Sequence, residues 1–159
     1  MPPSVGETVP DFEALLCDGE TFRSTHLSAA LGPRGGVLVS TGFAYSAIAT
    51  NWWKRFERYG WPDFDGVPVL GVSRDGPYAQ NDFLRWLDVP EFRTFADVDG
   101  GVSEALGVLT NREHMANVST PWRSVFVLDP DRAVQYAYVA DEWIAPLPHE
   151  DVEDAVADL

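Results

Sequence analysis

The 159-residue sequence contains one cysteine, Cys17, and one lysine, Lys54. A lone cysteine excludes an intramolecular disulfide and a thiolate metal cluster. Its three histidines, His26, His114 and His149, stand far apart with no H-x-x-x-H or H-E-x-x-H spacing, so neither a metal nor a cofactor is expected. There is no run of about eighteen uncharged apolar residues to span a membrane. The N-terminal "MPPSVGETVP" has neither the basic stretch nor the apolar core of a leader. These absences lead to the expectation of a soluble, cytoplasmic protein with no membrane partner.

Positive charge is also scarce, with 25 acidic residues against 11 basic ones and a net charge of −14. Nucleic acid is excluded as a partner, because affinity for phosphates comes from clustered cations and this surface would repel a polyanion. The carboxylates are spread along the chain rather than gathered in a tail. With arginine almost wholly replacing lysine, the pattern reads as a haloarchaeal-type surface, on which repulsion is screened within ~3 Å at 1 M salt. An ordinary acidic protein is the plainer alternative.

Apolar residues make up 45% of the chain, enough for a single domain over residues 1–159 with its own core. "DFEALLCDGETFRS" predicts two short strands joined at Asp18-Gly19, with Cys17 at the turn, then a helix from Thr25 to Leu31 capped by Ser24. Gly36 to Ser40 is an uncharged, β-branched central strand. From Ser46 the period changes, and Ile48, Trp52, Phe56 and Tyr59 form one face of a helix that ends at Gly60. Trp53 lies off that stripe and is expected to be exposed, where it could serve an interface. Val67 to Ser73 reads as a strand, and Pro77 opens a helix that runs to Pro90. A short strand at Thr94 to Ala96, a helical turn at Val102 to Leu106, a hairpin of Arg123–Asp129 with Ala133–Ala140, and a helix from about Glu150 complete the order. Strands joined through helices must be parallel and the closing hairpin antiparallel, so the sheet is mixed, with helices on both faces. That is the plan of a three-layer thioredoxin-like α/β sandwich with an N-terminal β-hairpin extension and a C-terminal helix.

Four segments carry a family resemblance in register: "VGETVPDF" (Val5 to Phe12), the "DGETF" turn, "VLGVSRDGPYAQNDF" (Val69 to Phe83), and "RSVFVLD" followed by "VQYAYV". Together they resemble the peroxiredoxins of the alkyl hydroperoxide reductase and thiol-specific antioxidant group, from about Val5 to Val139. The resemblance implies a P-x-x-x-[T/S]-x-x-C segment where the first long strand meets a helix. Laid on "GFAYSAIA", the proline falls at Gly42, the hydroxyl at Ser46 and the peroxidatic cysteine at Ala49. The family's distant arginine falls at Arg123, which on residue type alone would be a surface or structural ion pair.

In that family a thiolate attacks the peroxide O–O bond, and the helix N-terminus and the arginine hold its pKa down. An alanine methyl has no lone pair to offer, and the nearby alcohols Ser46 and Thr50 are scarcely ionised and have no sulfenic state. Glycine at 42 neither shields the site nor stiffens the loop. The expectation is a non-peroxidase binding or regulatory protein, with a degenerate pocket of Gly42, Ser46, Ala49 and Arg123 open to a small oxyanion or a hydroperoxide-like ligand, and with a homodimer as the possible assembly. A second reading, a thiol-dependent oxidoreductase that reduces hydroperoxides, requires Cys17 as the redox thiol or a cysteine at position 49 in the parent gene. Cys17 has only acidic near neighbours and no helix N-terminus, which disfavours a thiolate.

Overall fold

The computed structural model describes residues 1–142 and 144–159. A seven-stranded mixed sheet runs in the order β2-β1-β5-β4-β3-β8-β9. Its strands are β1 (Glu13–Cys17), β2 (Phe22–His26), β3 (Gly36–Ser40), β4 (Val69–Ser73), β5 (Arg93–Ala96), β8 (Ser124–Leu128) and β9 (Val134–Val139). β3, β4 and β5 are mutually parallel, and the two flanking hairpins pair antiparallel. The helices are α1 (Leu27–Ala30), α2 (Ala47–Arg58), α3 (Pro77–Leu87), α4 (Gly101–Ala105) and α5 (His149–Ala157). The expected thioredoxin-like sandwich is therefore the fold.

Alternation along the central strands divides the core between two faces. Val37, Val39, Val125 and Val127 pack with Trp52, Trp53 and Phe56 of α2, Phe83 and Leu87 of α3, and Val152 and Val156 of α5. Leu38, Leu70, Phe95, Phe126 and Leu128 face the other way, against Leu27 of α1 and Val102 of α4.

The structure departs from several expectations. Trp53 is buried, at 2% exposure, and not available to an interface. Gly71, on β4, makes this possible: a Cβ there would fall 2.6 Å from Trp53 Cζ2, so the missing side chain is the slot for the indole. Ser24 caps no helix, because Ser24 and Thr25 are drawn into β2 by pairing with β1 from Cys17↔Phe22 to Glu13↔His26. The helix starts at Leu27, and Asp11 bonds the Ser28 N–H at 2.8 Å and its hydroxyl at 2.7 Å. Cys17 ends β1 with its side chain fully buried rather than riding the turn, and the turn itself is held by the Asp18 carboxylate accepting from the Glu20 and Thr21 N–H groups.

A second, two-stranded sheet of β6 (Leu109–Arg112) and β7 (Val118–Pro121) has no counterpart in the sequence reading. Its residues are largely polar, and its turn places Ala116 and Asn117 at φ 56° and 62° without a glycine to signal it.

Candidate functional site

The loop from β3 to α2 is anchored at both ends. Thr41 N–H donates to the Val72 carbonyl at 3.0 Å, and Arg74 N–H donates to the Gly42 carbonyl at 3.0 Å. The Asp75 carboxylate accepts from Ala44 N–H at 2.6 Å. Tyr45 then adopts φ 62°, an unfavourable conformation for a bulky residue, and its ring packs edge-on to Phe83 with centroids 5.0 Å apart. Its hydroxyl donates to Asp82 at 2.5 Å. These contacts hold the strained residue and aim the next one, Ser46, at the helix.

Ser46 is the N-cap of α2, with extended backbone angles and a hydroxyl that accepts the Ala49 N–H at 3.2 Å. The Ala49 N–H is thus engaged by the cap. The Ala49 methyl is fully buried in the core with Trp52 and Phe56.

A cavity of about 240 Å³ opens at this helix end. Gly42, Ser46 and Arg123 line it, together with Ala47 and Ile48 of the first turn, whose N–H groups have no intrahelical acceptor by geometry. Three of the four expected residues are therefore brought together, and Ala49 stands behind the wall.

Arg123, just ahead of β8, is only 2% exposed. Its Nη1 donates to the Ala145 carbonyl at 3.1 Å and its Nη2 to the Glu142 carbonyl, while Nε has no acceptor among the described residues. The guanidinium sits 5.5 Å from the centroid of the Trp52 ring. No carboxylate lies within ion-pair distance of it among the described residues, so the simple ion-pair alternative fails. Burial lowers its pKa from the ordinary arginine value, while Tyr138 and Glu142 pull the other way, and the group stays charged.

A second guanidinium enters from β6. Arg112 is 6% exposed, its Nε donates to the Thr120 hydroxyl at 2.6 Å, and it stacks 5.3 Å from the Trp122 centroid. It lines the same cavity, and its pKa is lowered first by burial and then by the charge of Arg123. Sequence reasoning passed over Arg112 because the hairpin that carries it shows no apolar periodicity. Its one local signal is the strand-favouring, β-branched Thr110 two residues ahead of it. Among the described residues, Phe43 and Met115 also line the cavity.

A neighbouring cavity of about 310 Å³ shares Ala47, Ile48 and Arg123 as walls and is bounded by Trp52, Phe56 and the 144–147 segment. Cys17 lines neither cavity. Burial, reinforced by the charge of Asp18, pushes its thiol up to about 12.

Among curated proteins no sequence matches. Solved structures share the fold. A peroxiredoxin-like protein from Aquifex aeolicus is 20% identical with a TM-score of 0.83, over 99% of this chain and 88% of that one. Reduced Prx3 from Vibrio vulnificus, in complex with hydrogen peroxide, is 16% identical with a TM-score of 0.82, over 97% and 99%. The peroxidoxin BcpB from Mycobacterium tuberculosis is 23% identical with a TM-score of 0.76, over 96% and 94%. The sequence itself matches the AhpC/TSA family model over residues 5–137, and on that extent of agreement the chain belongs to the AhpC/TSA family.

Proposed function

We propose that this chain binds a small oxyanion or carboxylate at the N-terminus of α2 and does not reduce peroxides. The observation that carries this reading is Arg123: a buried cation with no carboxylate at ion-pair distance among the described residues, set in the wall of a cavity beside a helix N-terminus. Both features favour an anion, the first through charge and the second through the helix dipole and its first-turn N–H groups.

The case against peroxide reduction is chemical. Cleaving the O–O bond takes two electrons from a sulfur, which becomes a sulfenic acid while water or an alcohol leaves. Position 49, which aligns with the peroxidatic position by resemblance, holds a methyl group buried in the core. Cys17, the other route, has its thiol held in the protonated, unreactive form by burial. A cytosolic, high-salt setting fits the surplus of acidic over basic residues. A homodimer is supported by the exposed aromatic pair Tyr45 and Trp86, each 46% exposed, which mass measurement in high salt would test.

The test is consumption of hydrogen peroxide and of an organic hydroperoxide with a dithiol reductant. The expected rate is that of the buffer. Turnover abolished by Cys17→Ser would overturn the reading.

A further inference from the structure

We infer a second binding site, independent of the anion cavity and at the other end of the parallel strands, that takes a small quaternary ammonium cation with apolar substituents. It is a cavity of about 310 Å³ where the loops entering β3, β4 and β5 meet. That volume stands at the lower end of small-molecule sites. Trp61, Phe64 and Phe92 give it aromatic walls and three prolines stiffen it. Glu91 is the one ionisable side chain among the described residues that line it.

The cavity is built before any ligand arrives. A Cβ on Gly32 would fall 2.4 Å from the Gly66 carbonyl oxygen and 2.7 Å from Pro68 Cδ, so the loops ahead of β3 and β4 close on each other only with glycine there. Trp61 and Phe92 lie deepest, each 1% exposed, while Phe64 is half-buried and Glu91 is exposed. The Trp61 ring is fixed on several sides. It stacks on Phe56 with centroids 4.2 Å apart, lies 5.7 Å from Phe64, and donates from Nε1 to Glu153 at 3.1 Å. Walls already held in place lose little freedom when a ligand enters.

The charge pattern selects a cation. Glu91 forms no ion pair among the described residues, and the chain as a whole carries a net charge of −14. Aromatic rings add to this, because their π faces attract positive charge. Arg34, beside Pro33, is engaged elsewhere, its guanidinium donating to the Asp65 and Val156 carbonyls at 2.9 and 3.1 Å.

The hydrogen bonds select the kind of cation. The Gly66 carbonyl accepts from Arg34 N–H at 3.1 Å, Pro68 from Val37 N–H at 2.9 Å and Gly32 from Gly35 N–H at 3.1 Å. Glu91 is then the one side-chain acceptor among the described lining residues. A primary ammonium brings three N–H donors, and those turned from Glu91 toward the rings would be desolvated without partners. A quaternary ammonium has no N–H to satisfy and presents its charge through an apolar shell.

Isothermal titration of the intact protein at one ionic strength tests the inference with three probes: choline, the uncharged alcohol with a tert-butyl group in place of the trimethylammonium, and ethanolamine. Choline is expected to bind at least about tenfold more tightly than either of the others. Glu91→Gln and Phe64→Ala are each expected to weaken choline by more than about fivefold. Glu91 is exposed, so its variant remains informative if the Phe64 change impairs folding. Glu20→Gln, which removes an exposed carboxylate outside the cavity, is expected to leave choline affinity unchanged. The uncharged alcohol binding as tightly as choline would overturn the selection of a cation, and ethanolamine doing so would overturn the quaternary class. Equal losses in the Glu91→Gln and Glu20→Gln proteins would show diffuse attraction to an acidic surface and overturn the site. No binding of choline would overturn the inference outright.

Discussion

The Arg112 guanidinium occupies the space in which a side chain on residue 42 would begin, with Nη2 2.9 Å from the Cβ position of Gly42. Arg112 arrives on a hairpin outside the main sheet, is held by Thr120, and feels the positive charge of Arg123. Two like charges drawn into one small cavity repel, and an anion between them would relieve that repulsion.

The Ser46 cap is a local determinant of the site. Ser46→Ala removes the acceptor of the Ala49 N–H and should lower stability by about 1 kcal/mol, read from urea denaturation. The first turn of α2 should also lose amide protection in hydrogen exchange, because the Ala49 N–H is left without its partner.

Gly71→Ala should be more damaging, at ~1–3 kcal/mol, because overpacking a central strand cannot relax easily. The new Cβ would meet Trp53 Cζ2 at 2.6 Å and Thr94 Cγ2 at 2.7 Å. The same denaturation experiment checks it, and a blue or red shift in tryptophan emission would report movement of the Trp53 ring.

Cys17 provides a pH test. Its thiol is pushed up to about 12 in the folded chain, against an ordinary value of 9.0 when unfolded. The folded state therefore holds the proton more tightly, so this contribution is complete below pH 9 and is lost as pH rises from 9 toward 12. The loss amounts to roughly 4 kcal/mol at the upper end, on ~1.4 kcal/mol per pH unit. Cys17→Ala should flatten the alkaline fall in stability relative to wild type. A thiol reagent at neutral pH should label Cys17 only at the rate of unfolding.

Much of this architecture was legible in the residues. The run Gly36 to Ser40, the change of period at Ser46 and the stop at Gly60 mark β3 and α2 because a buried strand and an amphipathic helix leave different repeats. Arg123 and Ser46 could be placed together by family resemblance. Three features were hidden because they depend on partners distant in the chain. Trp53 is buried through a missing side chain on Gly71, a contact no helical repeat encodes. Ser24 joins a strand because β1 supplies a ladder that outweighs a local cap. Arg112 reaches the site on a polar hairpin whose turn lacks glycine, so its local sequence carries only a weak strand signal.

The most direct test of an anion site centred on Arg123 is an NMR titration of the intact protein with benzoate, following the Arg123 Nε–H resonance together with the Ala47 and Ile48 amides. A saturable downfield shift of the Nε–H, with the two amides moving along the same binding curve, is the predicted result. If the Arg123 Nε–H and both amides stay in place at saturating benzoate, the cavity at the N-terminus of α2 is not an anion site.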